Sequence, residues 1–131
     1  MDNQIKNESQ TCACQQGVKL IFTCSGSADV GEISDRSARK LSTGGVGKMV
    51  CLAGIGGNVS GIIASAKGAE KILVLDGCHL DCGRKTMEER GITNFLHLRV
   101  TDLGMPKSKS PVTEERIATV TAKGKEMLSA K

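Results

Sequence analysis

Four cysteines of this sequence stand where short apolar runs end. Cys24 closes the run 19–24, Cys51 lies near the end of 48–53, Cys78 follows 71–76, and Cys82 comes four positions later. The C-x3-C spacing of the last two lets one short loop supply two ligands, and Cys24 and Cys51 complete a tetrahedron where the runs converge. Zinc suits such a set because it is d10, borderline-soft and indifferent to ligand-field geometry, with bonds of about 2.3 Å to each thiolate. Thiolates so close together repel one another; the metal removes that penalty, and nearby helix N-termini favour the thiolate form. Two other readings fit the same residues. Free cysteines pack as small hydrophobes, Cys51 above all because it lies inside an apolar run, and four thiolates also hold iron–sulfur clusters.

Convergence requires an architecture that brings distant run ends together. The runs 19–24, 48–53, 71–76 and 94–100 read as buried strands, and helical spacing of apolar residues follows each, over about 29–42, 59–67, 82–90 and from 113 onward. Gly44, Gly45 and Gly91 supply stops, both prolines fall in the loop 101–112, and Lys125 and Lys131 sit late in the last helix, as its dipole prefers. Strands alternating with helices predict right-handed βαβ units and a parallel sheet. The expected fold is a single three-layer α/β/α sandwich with a mostly parallel sheet of about four strands, Rossmann-like or flavodoxin-like. In such a sheet the carboxyl ends of all strands share one edge, where Cys24, Cys51, Cys78 and Cys82 meet.

Composition bounds the function classes. The 131 residues suffice for one domain, and no apolar run is long enough to span a bilayer. Residues 1–16 are polar, with no h-region of a secretory signal, so the domain is expected over 17–131 behind a flexible leader, in the cytoplasm. Six cysteines in a reducing compartment point to metal binding or thiol chemistry rather than structural disulfides. A net charge of +4 is spread among Asp and Glu, and two Phe with no Tyr or Trp leave little for bases to stack on, which argues against nucleic acid. Within the leader, Cys12 and Cys14 are adjacent thiols able to capture or hand over a soft metal ion, or to donate a resolving thiol.

Other residues carry weaker signals. Asp76, directly before Gly77, is placed to accept backbone N–H bonds that shape the cysteine loop, to act as a base, or simply to cap a turn. His79 lies between two better ligands and reads as a solvent-facing or accessory residue, and His97 alternates with apolar neighbours and reads as structural. Gly54, Gly56 and Gly57 before a helix form a candidate anion-binding loop, without the Gly-Lys-Ser/Thr ending of a Walker motif or a dinucleotide fingerprint. Cys24 before a Gly/Ser turn looks like the nucleophile loop of small phosphatases, but residues 24–30 contain no Arg to clamp a phosphoryl group.

Cys24-Ser-Gly-Ser, the segment 47–57 ending Gly-Ile-Gly-Gly, and above all Asp76-Gly-Cys-His-Leu-Asp-Cys82 followed by Arg84-Lys-Thr-Met-Glu88 resemble the DGC-domain family. These are small bacterial and archaeal proteins for which zinc binding has been proposed, with no established biochemical role. The resemblance runs from about Val18 to the C-terminus and implies that Cys24, Cys51, Cys78 and Cys82 are the chelators. His79 departs from it, at a position where the family often carries proline. Chemistry and resemblance together predict a four-cysteine zinc protein with a structural, metal-handling or interaction role, its protein partner unspecified. A closed sulfur sphere argues against hydrolysis. The competing classes are a thiol-dependent enzyme or redox sensor using Cys24 or Cys78, and a soft-metal carrier using Cys12 and Cys14.

Overall fold

The computed structural model describes residues 17–131, and four parallel strands form its centre. In chain order the elements are β1 (Lys19–Thr23), α1 (Asp29–Thr43), β2 (Lys48–Met49), α2 (Leu52–Gly56), α3 (Ser60–Lys67), β3 (Lys71–Asp76), α4 (Cys82–Glu89), β4 (Leu96–Arg99), a 3-10 turn (Val100–Leu103) and α5 (Glu114–Ser129). The sheet order is β2-β1-β3-β4, every pair parallel. This is an α/β domain with the strand order of the flavodoxin type, as expected from the alternation of strands and helices.

Strand residues alternate between two cores, as the two-residue period of a strand requires. Ile21, Leu73, Leu75 and Leu98 pack against Val30, Ile33 and Leu41 of α1 and Ile117, Val120 and Leu128 of α5. Leu20, Phe22, Ile72 and Val74 pack on the opposite face with Ile55 of α2, Ala66 of α3 and Met87 of α4. Both faces are covered, which is why the strands read as unbroken apolar runs.

The second strand is shorter than its apolar run predicts. Val50 still donates to the Ile21 carbonyl at 2.9 Å, but the chain then turns into α2, burying Ile55 completely. The outer N–H of Met49 is taken by the Ser42 hydroxyl of α1 at 3.0 Å, which leaves this sheet edge one donor fewer. α2 rests closely on α3, since a Cβ at Gly54 would collide with Ile62. The final helix starts as read, with the Thr113 side chain accepting the Arg116 N–H, but its C-terminus is served differently. Lys71, from the start of β3, donates to the carbonyls of Met127, Leu128 and Ala130. It takes the place expected of Lys125 and Lys131.

Candidate thiolate site at the carboxyl edge of the sheet

The chain runs from β1 outward to β2 and then returns to lay β3 on the other side of β1, so strand order reverses between β1 and β3. Crevices at such a switch point, outside the carboxyl ends of the strands, are where open α/β sheets bind ligands. Cys24 lies one residue beyond β1, and Gly77-Cys78 directly follows β3. The Cys24 amide donates to the Leu75 carbonyl at 3.0 Å, and its Sγ accepts the Gly77 N–H at 3.4 Å. Its other partner is the Ser34 hydroxyl of α1 at 3.4 Å, which itself receives Thr23 Oγ1 at 3.1 Å and donates to the Gly31 carbonyl at 2.8 Å.

Glycines make this approach possible. A Cβ on Gly77 would stand 2.8 Å from Gly31 N and from the Val30 carbonyl carbon, and one on Gly31 would stand 2.7 Å from the Gly26 oxygen. Backbone therefore packs on backbone where the Cys24 turn, the start of α1 and the end of β3 meet. Cys51 is exposed and shares with Cys24 the wall of a cavity of about 440 Å³. Cys78 is half-buried beside the α1/α5 core, in a different depression with His79, Leu80 and Lys107. Cys82 is exposed and opens α4. All four thiols thus occupy one sheet edge, although among the described residues no three of them lie within 4.8 Å of one another.

The cysteine loop is pinned by charges. Asp76, 1% exposed, accepts the Gly83 N–H at 2.6 Å and the Arg84 N–H at 3.0 Å, so it caps α4 from the end of β3. Its Oδ2 also meets His97 Nε2 at 2.8 Å, which gives that histidine the structural role expected of it. Asp81, directly before Cys82, adopts φ +53° and is 2% exposed. It receives a two-pronged bond from Arg99 (2.9 and 2.6 Å) and a third from Arg84 at 2.8 Å. The Arg99 bonds, more than Arg84 and the nearby His97, hold its carboxyl well below the usual range, at about 2. Arg99 reaches on to Asp102 at 3.1 Å, tying the following turn to the same network.

Potential ligand atoms of Asp76, Asp81 and His97 lie within 4.8 Å of one another. Every carboxylate oxygen there already accepts an N–H, two of them from guanidinium groups, so the set is an anchor rather than a cation site. Local sequence patterns did not single out Asp81, Arg84 or Arg99. The available signal was positional: Asp81 falls between Cys78 and Cys82, and Arg99 ends the last strand at the same sheet edge.

The glycine segment departs from its sequence reading. Gly54, Gly56 and Gly57 belong to α2 and its exit rather than to an open loop. The amides of Gly54, Gly57, Asn58 and Val59 donate to carbonyls of their own segment, which removes them as anion donors. The carbonyls of Ile55 and Gly56 are held by Arg90 at 3.0 and 2.5 Å. His79 projects into solvent, 4.0 Å from Asp102, rather than toward the other thiols' cavity. Cys12 and Cys14 lie outside the described residues.

An open parallel α/β sheet with cysteines gathered along its carboxyl edge defines the class of protein. The family model described as "DGC domain" matches residues 20–123, and the chain belongs to that family. It is also similar to the "Anaerobic and virulence modulator AnvM" of Pseudomonas aeruginosa, with 32% identity over 88 residues, 67% of each chain. No solved structure matches the chain.

Proposed function

We propose that this protein binds one zinc ion through Cys24, Cys51, Cys78 and Cys82, and that the bound metal serves a structural or regulatory role rather than hydrolysis. The observation that carries the reading is the seating of the Cys24 sulfur at the switch point, 3.4 Å from the Gly77 amide that leads into Cys78, with Cys51 and Cys82 on the same edge. The donor chemistry fits, since four thiols are the set zinc prefers in closed sites. A tetrahedron with bonds of about 2.3 Å sets its sulfurs about 3.8 Å apart, so loading must draw the thiols closer. Two of the four are exposed at the starts of helices, where a small change of loop conformation moves them. With four sulfurs bound, zinc has no open position for a substrate water. The Pseudomonas relative is named a modulator, in keeping with a regulatory role.

Metal analysis of the full chain tests this. About one zinc per chain is expected, falling below about one tenth in Cys78→Ser and in Cys82→Ser and unchanged in a Cys12→Ser/Cys14→Ser variant. Zinc retained in full by the Cys82→Ser protein would overturn the ligand set.

A further inference from the structure

We propose that the cleft between the turn 77–81 and the segment 101–107 binds a small amphiphilic anion, an apolar chain or ring of about ten carbons that carries one carboxylate. The proposal rests on neither a thiol nor a metal.

The cleft lies outside the carboxyl ends of β3 and β4, the edge at which open parallel sheets take ligands. Its volume of about 550 Å³ falls within the ~300–1,000 Å³ usual for small-molecule sites. Leu80, Gly104 and Pro106 give it a mostly apolar lining. Leu80 is 59% exposed, the highest value for a large apolar side chain among the described residues. Water therefore covers a leucine on the wall of an apolar cleft, and an apolar occupant releases that water.

Both walls are fixed before anything binds. Asp81 donates its N–H to the Cys78 carbonyl at 3.1 Å while its carboxylate accepts Arg84 and Arg99, which together hold the turn that carries Leu80. Across the cleft, the Asp29 carboxylate at the start of α1 accepts the Ser108 and Ser110 N–H groups at 2.9 Å each. The Pro106 carbonyl in turn accepts the Ser110 hydroxyl at 2.8 Å and the Lys109 N–H at 3.1 Å. Thr101, also on the wall, donates its N–H to the Gly77 carbonyl at 3.1 Å. A cleft shaped in this way loses little conformational freedom when it fills.

Charge selects the sign of the ligand. Lys107 and His79 line the cleft, whereas no described Asp or Glu does. Asp102 stands 4.0 Å from His79, but its carboxylate is drawn to Arg99 at 3.1 Å. An apolar lining with a fixed cation on its wall suits a ligand that has an apolar body and one anionic end.

The test titrates the full chain with decanoate, and with decyltrimethylammonium as the counterpart of opposite charge, read by calorimetry and by amide NMR shifts. One decanoate per chain is expected, with a dissociation constant of about 1 mM or tighter and shifts centred on Leu80, Thr101, Gly104 and Lys107. Leu80→Ser should weaken it about tenfold and Lys107→Gln about threefold. Both side chains are exposed, so circular dichroism and the thermal midpoint should not change. Decyltrimethylammonium should bind at least tenfold more weakly than decanoate. Failure of decanoate to bind, equal binding of the two probes, or shifts centred on the apolar depression at Val18, Met49 and Ile62 overturns the proposal. So does a dimer that Leu80→Ser dissociates, which would give the cleft to a second copy of the chain. Zinc is measured in the same samples, and its absence with decanoate bound rejects the zinc reading and leaves this one standing.

Discussion

Gly77→Ala is expected to cost about 3 kcal/mol of stability and to lower the thermal midpoint by roughly 10 °C. The new methyl would meet Gly31 N and the Val30 carbonyl carbon at 2.8 Å and the Val30 oxygen at 2.9 Å. These are backbone atoms at the start of α1, so no side chain can swing away to make room. Relief requires α1 to retreat from β3, which also draws the Gly77 N–H off the Cys24 sulfur. Differential scanning calorimetry reads the first effect, and slower alkylation of Cys24 at fixed pH reads the second, since the thiolate loses a donor. A variant as stable as the parent would show that the contact between the two backbones is looser than described.

Asp81→Ala carries the other large effect, about 3 kcal/mol at neutral pH, because it leaves the partly buried Arg99 and Arg84 guanidiniums without the carboxylate between them. It also has a pH signature. Asp81 ionises at about 2 in the fold against 3.8 for the ordinary group, so its folded value is depressed. Its contribution is therefore fully present above pH about 4 and is lost as pH falls toward 2, an effect of about 2 kcal/mol. The gap between parent and variant in urea midpoint should be widest near pH 7 and shrink by more than half near pH 2. A gap independent of pH would mean that the carboxylate's charge is not what holds the loop.

Much of this was legible in the chain. The run 71–76 is β3 to the residue, and the helices after Cys24 and Thr113 begin within one position of their sequence signals. Period and punctuation carry such elements, and parallel topology then dictates that Cys24, Cys51, Cys78 and Cys82 share an edge. What local patterns could not carry was anything decided across space. The run 48–53 has strand composition throughout, yet β2 ends at Met49 as the chain turns into α2 and buries Ile55 against the α3/α4 face. The Asp81–Arg99 pair joins residues 18 apart, and Lys71 caps a helix more than 50 residues away, so neither leaves a local trace. Asp76 lay between: its place before Gly77 announced a loop-shaping role, while the Gly83 and Arg84 amides it holds emerged only with the fold.

What the four thiols hold decides the function of this edge. Zinc K-edge X-ray absorption on the full-length, zinc-loaded protein addresses it most directly, since it reports the first coordination shell itself. Four sulfur neighbours at about 2.3 Å are predicted, reduced to three sulfurs plus a lighter atom in Cys51→Ser. A first shell of nitrogen and oxygen, or an absorption edge unchanged by replacement of each of the four cysteines in turn, would contradict the account.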